Sequence, residues 1–375
     1  MSERDELIRA LEETSRVGKQ AAVASVVRVT GSAYRREGAK MLIDEEGTTT
    51  CMISGGCLEP EIAENAKQVM AKQQPVIRHL DLNEDVLWGL GIGCGGTIDV
   101  YIEPIEAGPL VDAWMSAVKE ERAAVMATAI EVSAGSGVST GARMFVPEEG
   151  PPLGTLGQPS LDQAVIELAG QKLKQLDPHS ETRRFAVLDR EFAEVFIDVN
   201  VPAPELTLFG AGHDAIPLVA FAVQLGYKVT VVDARPAFAT TERFPGATAI
   251  VAHPEEFQDR VRLGPRSYVV IMNHHVIRDE ASLRLALESA APYVGVLGPR
   301  SRYWRLLDDL RGEGFEPTTE QLARVYNPVG LDIGAESPEE VANSILSEVL
   351  AIRKGHAGGF LRNRGGSVHA PARVS

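Results

Sequence analysis

The stretch Phe209-Gly210-Ala211-Gly212-His213-Asp214-Ala215 does most to limit what this chain can become. It follows the apolar run Leu206 to Phe209 and opens a helical pattern from Ala215 to Leu225, so it fits G-x-G-x-x-A between a strand and a helix. The first glycine permits a tight turn, the second lets a pyrophosphate approach the backbone, and a small residue at Ala215 allows close helix–strand packing. Unpaired N–H groups and the dipole at such a helix start favour an anion. Asp233 ends the next strand, Val229 to Val232, where an acid can hold a ribose hydroxyl. Tyr268 to Met272 and Tyr293 to Leu297 read as further strands, and the strand–helix rhythm implies a doubly wound parallel sheet of the Rossmann type. Ser337-Pro338-Glu339-Glu340 caps a last helix that runs to about Arg353. Residues 355–375 carry no apolar period and read as a loose tail. The motif limits the fold more than the ligand: a mononucleotide, a dinucleotide, a pterin and a domain that only packs all satisfy it.

Ligands of open α/β sheets sit beyond the carboxyl ends of the strands. Asn273-His274-His275, Gly298-Pro299-Arg300-Ser301-Arg302 and Asn327 to Gly334, which includes Asp332, all fall there. Arg300 suits bidentate anion contact, while Arg302 reads as a surface residue at a helix start. His213 fits either a phosphate donor or a solvated cap residue. His274 and His275 read as polar lining of the crevice, because no carboxylate or cysteine stands near them at metal spacing.

Asn200-Val201-Pro202-Ala203-Pro204 breaks the pattern and sets the domain boundary. The expected domains are residues 1–200 and 201–354. Before the boundary the chain reads as an opening helix, strands over 21–29 and 40–44, and a helix over 58–71. Strands follow over 98–102, 125–132 and 142–146, then a loop over 148–160, a helix over 164–176, and a hairpin over 185–188 and 195–199. No clean repeat is evident, and the half is expected to be α+β.

Two of the three cysteines sit in double-glycine turns, Ser54-Gly55-Gly56-Cys57-Leu58-Glu59 and Gly93-Cys94-Gly95-Gly96. Glycine takes positive φ and lets a ligand approach, so a cysteine there is presented rather than packed. Cys57 precedes a helix, whose N-terminus favours thiolate, while Glu59 and Glu61 oppose it. A free cysteine is also often a small buried hydrophobe, and Cys51 reads as packing within a strand. Arg35 and Arg36 lie between Gly31 and Gly38, a setting that suits anion recognition and equally a charged hairpin loop.

The net charge of −15 argues against nucleic acid and against a cationic membrane-binding surface. No apolar run approaches the roughly 18 residues of a membrane span. Met1 to Glu6 lacks a signal-peptide pattern, and three cysteines supply no disulfide framework, so a cytoplasmic protein is expected.

Together these segments resemble the XdhC/CoxI family, accessory factors of xanthine and carbon monoxide dehydrogenases. The resemblance rests on Gly31-Ser32 through Arg36 to Gly38-Ala39-Lys40-Met41, on the two glycine–cysteine turns, and on Phe209 to His213. It rests also on Val231 to Pro236, Tyr293 to Gly298 and Gly330 to Glu340. Pro299 stands where the family usually has serine, and Asn273-His274-His275 differs from its usual Thr-His pattern. The resemblance implies a homodimer that binds the molybdenum cofactor (molybdopterin), protects it during sulfuration, and inserts it into a molybdenum hydroxylase apo-enzyme, with a cysteine desulfurase as partner. It implies that Cys57 and Cys94 line or ligate near the metal. Arg35, Arg36, Gly55, Gly56, Gly95, Gly210, Gly212, His213, Asp233, His275, Arg300 and Asp332 would complete the cofactor contacts. The alternatives are an NAD(P)-dependent oxidoreductase built on the Rossmann motif and a thiol-based sulfur relay.

Overall fold

The computed structural model describes residues 3–31, 33–81, 96–188 and 190–363. It divides into two compact units, Met1–Pro202 and Ala203–Ser375.

The N-terminal unit is built twice from one plan. In the first half, helix α1 (Glu3–Val17) precedes strands β1 (Ala21–Gly31), β2 (Lys40–Asp44) and β3 (Thr49–Thr50); helix α2 (Glu59–Lys72) then leads to β4 (Val76–Asp81) and β5 (Gly96–Pro104). In the second half, α3 (Pro109–Lys119) precedes β6 (Ala124–Val132), β7 (Arg143–Pro147) and β8 (Leu153–Gly154); α4 (Pro159–Leu173) then leads to β9 (Glu181–Ala186) and β10 (Phe192–Asn200). Each half forms a five-stranded antiparallel sheet, and the orders β3-β2-β1-β5-β4 and β8-β7-β6-β10-β9 are the same permutation.

The correspondence extends to single residues at a spacing of 103. Gly38-Ala39-Lys40-Met41 matches Gly141-Ala142-Arg143-Met144, and the turn glycines Gly47 and Gly150 both have positive φ. The Gly38 N–H donates to the Val26 carbonyl at 2.9 Å, and the Gly141 N–H to the Ala129 carbonyl at 2.7 Å. A bulge interrupts the central strand pair of each sheet at the same place, after Val26 and after Ala129. The expectation of no repeat is therefore overturned.

Helix α2 covers one face of its sheet through Ile62, Ala66 and Val69, and α4 does the same through Val165 and Ala169. The uncovered faces meet at Val27, Tyr101, Ile130 and Phe196. Charged pairs cross between the halves reciprocally. Lys40 pairs with Asp198 at 3.1 Å, and its counterpart Arg143 pairs with Glu103.

The C-terminal unit carries β11 (Glu205–Phe209), α5 (Ala215–Gln224), β12 (Lys228–Asp233), β13 (Thr248–Val251), α6 (Phe257–Arg260), β14 (Ser267–Ile271) and α7 (Val276–Glu288). It continues through β15 (Tyr293–Val296), α8 (Arg300–Gly312), α9 (Thr319–Leu322), β16 (Val325–Tyr326) and α10 (Pro338–Lys354). Its six strands are parallel in the order β13-β12-β11-β14-β15-β16. That is the Rossmann order, with its switch point between β11 and β14. The strands β11, β14 and β15 are buried almost throughout because helices cover both faces. The cap expected at Ser337 forms: its hydroxyl accepts from the Glu340 N–H at 3.3 Å. Helix α10 ends at Lys354 on a left-handed Gly355, and residues 364–375 of the expected tail lie outside the described residues. No helix among the described residues is long and apolar enough to cross a membrane.

Candidate functional site

Strand directions gather the N-terminal motifs at one end of the first sheet. The β1–β2 loop, with Arg35 and Arg36, lies there. Strand β3 runs antiparallel to β2, so residues 51–58 emerge at the same end. Gly31 pairs with Gly96 and Asp81 with Thr97, so the chain flanking the second glycine–cysteine turn also meets this end. Cys94 and Gly95 lie outside the described residues.

The Gly55–Gly56–Cys57 turn is held from below by Ser54 and Glu59. The Glu59 carboxylate accepts from the N–H groups of Ile53 (3.2 Å), Ser54 (2.8 Å) and Leu58 (3.2 Å), and from the Ser54 hydroxyl at 2.5 Å. The Ser54 oxygen accepts from the N–H groups of Gly56 and Leu58, each at 3.2 Å, and from the Cys57 thiol at 3.6 Å. Partial burial opposes ionisation of Glu59, but these hydrogen bonds outweigh it and hold the carboxyl below its ordinary range. Glu59 thus locks the turn. Sequence reasoning treated it only as a charge near the thiol, although a carboxylate in the first helical turn is a capping signal. Since the folded pKa is depressed, this contribution is present above the ordinary carboxylate range near pH ~4.3 and is lost as pH falls through the folded value. Replacing Glu59 by glutamine is expected to cost about 1–2 kcal/mol and to flatten the acid limb of stability, measured by thermal melts from pH 3 to 7.

Gly55 and Gly56 are exposed, and a Cβ built on either meets nothing within 4 Å. Cys57 is half-buried. Arg35 is paired with Glu3 at 2.6 Å, and the Cys51 thiol donates to the Glu3 carbonyl at 3.3 Å, which ties α1 to this end. Cys51 lies just beyond β3 with φ 64°, not within a strand as expected; burial and the nearby Glu3 and Glu6 push its thiol up to about 11. It packs, as expected, against the cluster of Leu7, Leu11 and Leu42. Among the described residues no three His, Cys, Asp or Glu side chains stand together as a metal site.

The second half shows what the turn would be without its glycines. The Asp162 carboxylate accepts from the Leu156 N–H at 2.8 Å, as Glu59 does from Ile53. Gln158 stands at the counterpart of Gly55, and Pro159-Ser160-Leu161 at that of Gly56-Cys57-Leu58. There the chain is already helical from Pro159, and the Gln158 amide reaches across to the Ser136 carbonyl at 3.3 Å. Proline favours the first helical turn, whereas paired glycines oppose helix. The first half therefore loses one helical turn, and Cys57 lies on a loop with the space over Gly55 open.

In the C-terminal unit the Rossmann turn forms as expected. Gly210 has φ 114°, and a Cβ there would lie 2.5 Å from the Met272 carbonyl oxygen, so only glycine fits. The Asp233 carboxylate is engaged from all sides. It accepts from the Ala211 N–H at 2.8 Å, from the Arg235 N–H at 2.9 Å, and from the Arg235 guanidinium at 2.9 and 2.7 Å. Burial opposes its charge, but the guanidinium and the two N–H groups prevail and lower its pKa. Arg235 and Arg243 stack on Phe238 at 3.9 and 4.7 Å, and the His213 ring meets it edge-on at 6.3 Å. A basic, aromatic rim so borders the turn that holds Gly212.

His275 is exposed at the start of α7, and Arg300 is exposed at the start of α8. His274 pairs with Asp214 at 2.9 Å. Arg302 is not a free surface residue: it is ion-paired with the buried Asp279, which also accepts from the Asn273 N–H at 3.1 Å. Asp332 is exposed in the loop after β16, at the carboxyl edge of the sheet.

The profile of the XdhC and CoxI family matches residues 15–81 and 117–185, one range within each half of the N-terminal unit. The XdhC Rossmann domain profile matches residues 206–349. A Bacillus subtilis relative, named as a probable xanthine dehydrogenase subunit, is 30% identical over 341 residues, covering 90% of this chain and 94% of its own. The Escherichia coli molybdenum cofactor insertion chaperone PaoD is 21% identical over 348 residues, covering 92% and 88%. A crystal structure of a xanthine dehydrogenase from Bacillus halodurans superposes with a TM-score of 0.69 at 30% identity, over 94% of this chain and 96% of that one. The chain belongs to the XdhC and CoxI family.

Proposed function

We propose that this protein is a maturation factor that binds the molybdenum cofactor, shelters it while its terminal sulfur is installed, and passes it to a xanthine dehydrogenase-type apo-enzyme. The observation that carries the reading is the open backbone at Gly55 and Gly56, beside the Cys57 thiol and at the same sheet end as Arg35 and Arg36. A pterin phosphate is met by arginine. A sulfur-bearing metal centre is met by a thiol and by backbone that approaches without side chains. Cys94 would supply the second thiol. Similarity to PaoD, itself named a cofactor insertion chaperone, supports the same role. The working form is a cytoplasmic homodimer, with a cysteine desulfurase supplying sulfur.

In this reading the protein holds and orients its cargo and performs no bond chemistry itself. Glu59 and Ser54 fix the turn, Cys57 and the arginines contact the cofactor, and Gly210, Gly212, His213 and Arg235 offer a separate anion site. The test is activation of a purified apo-hydroxylase by molybdenum cofactor with and without this protein. Added protein is expected to raise recovered activity at least about tenfold, and Cys57→Ala to reduce that gain to about a third or less, a difference that corresponds to modest lost contact energy. Equal activation with no protein would reject the role.

A further inference from the structure

The two halves of the N-terminal unit line a half-open cavity of ≈ 80 Å³, and its walls come in pairs. Ser25 and Thr128, Lys40 and Arg143, Tyr101 and Phe196, and Glu103 and Asp198 all line it, each pair at equivalent positions of the two sheets. The four charges are closed within the wall, since Lys40 pairs with Asp198 and Arg143 with Glu103. The cavity therefore presents no net charge, and most of its remaining lining is aliphatic or aromatic.

Two polar atoms break the pairing. Tyr101 is 1% exposed and its hydroxyl has no hydrogen-bond partner, whereas its counterpart Phe196 has no hydroxyl at all. Burial raises the Tyr101 pKa, and the Glu103 carboxylate, which comes close to the hydroxyl without reaching hydrogen-bond geometry and is itself engaged by Arg143, reinforces the shift, so the hydroxyl keeps its proton. The indole N–H of Trp114 is also buried without a partner, and Leu11 stands at the matching position of α1. Buried donors left unpaired are destabilising. The fold does not require them, because apolar residues serve at both counterpart positions. Two such donors on one cavity call for an acceptor.

We propose that this cavity binds a small, uncharged, largely apolar molecule bearing hydrogen-bond acceptors, of the class of a single aromatic nitrogen heterocycle, with Tyr101 and Trp114 as its donors. The volume has room for about one six-membered ring. The site lies inside the N-terminal unit and does not depend on the maturation role.

Pyrazine and benzene, titrated into the full-length protein and followed by saturation-transfer NMR, test it. Pyrazine is expected to bind saturably in the low millimolar range, about tenfold more tightly than benzene, the difference one or two hydrogen bonds supply. Tyr101→Phe and Trp114→Phe should each weaken pyrazine several-fold and leave benzene unchanged. Tyr101→Phe, which installs the residue of the other half, should melt at or above the wild-type temperature. No saturable binding of pyrazine, equal binding of both probes, affinities indifferent to both variants, or a lower melting temperature for Tyr101→Phe would each overturn the proposal.

Discussion

Replacing Gly55 by glutamine is expected to abolish recovery of molybdenum cofactor with the protein while leaving the fold intact. The second half of the N-terminal unit supplies the reason. Gln158 there spans from the helix start to the hairpin loop and bonds the Ser136 carbonyl at 3.3 Å. The same side chain at position 55 would reach toward Ala33 and Tyr34, the counterparts of Ser136 and Gly137, and cover the open backbone. The backbone tolerates it: Gly55 is not in the left-handed region and a Cβ there has nothing within 4 Å. Lower unfolded-state entropy even adds about 0.5 kcal/mol of stability. Cofactor content should fall more than about tenfold, with the melting temperature unchanged or slightly higher. Gly56→Ala is a poorer test, because φ 105° strains any side chain there whatever its effect on binding.

Asp233→Asn is expected to destabilise the C-terminal unit by about 2–3 kcal/mol, below the full cost of breaking a buried pair because Arg235 is 41% exposed at its side chain. Urea unfolding followed by hydrogen exchange in β11 and β12 measures it. The sign with pH is fixed by the depressed carboxyl. Its contribution is whole at neutral pH, above the ordinary aspartate value near ~3.9, and disappears as pH falls through the folded value. The variant should lose that acid limb. The same geometry bears on the oxidoreductase alternative. A carboxylate already accepting from Ala211 and from both sides of Arg235 has little left for a ribose hydroxyl. NADH is therefore expected to give no saturable fluorescence change up to about 1 mM, the range of very weak binding. Submicromolar binding would restore the alternative.

The Rossmann half was legible because buried parallel strands read as short apolar runs and because Gly210 answers to one backbone need. The strands at Leu206, Val229, Tyr268 and Tyr293 all form within a residue or two of expectation. Edge strands β13 and β16 and helix α7 went unread, since β16 has only two residues, and of α8 only the start near Arg302 was read, although Tyr303, Leu306, Leu307 and Leu310 stand at helical spacing. In the N-terminal half, α4 starts at Pro159 rather than near 164, because Pro151, Pro152 and Pro159 together suggested a loop, while Pro159 sits in the first helical turn. The repeat was in plain view in Gly38-Ala39-Lys40-Met41 and Gly141-Ala142-Arg143-Met144. It was missed because the residues held in common are core and turn positions spread over a long period, while the candidate residues Arg35, Arg36 and Cys57 have no matching counterparts. Those differences are the ground for proposing the first half as the cofactor-binding one. The anchoring role of Ser54 and Glu59 escaped notice because it consists of holding backbone, which only coordinates reveal.

The most direct measurement is the molybdopterin content of the purified wild-type protein, extracted and identified by its pterin fluorescence, from hosts with and without cofactor synthesis. Pterin present near one equivalent per chain in the first host, absent in the second, and lost in Gly55→Gln would agree with cofactor binding at the Gly55–Cys57 turn. Wild-type protein devoid of pterin in both hosts, or Gly55→Gln retaining it in full, would contradict that claim.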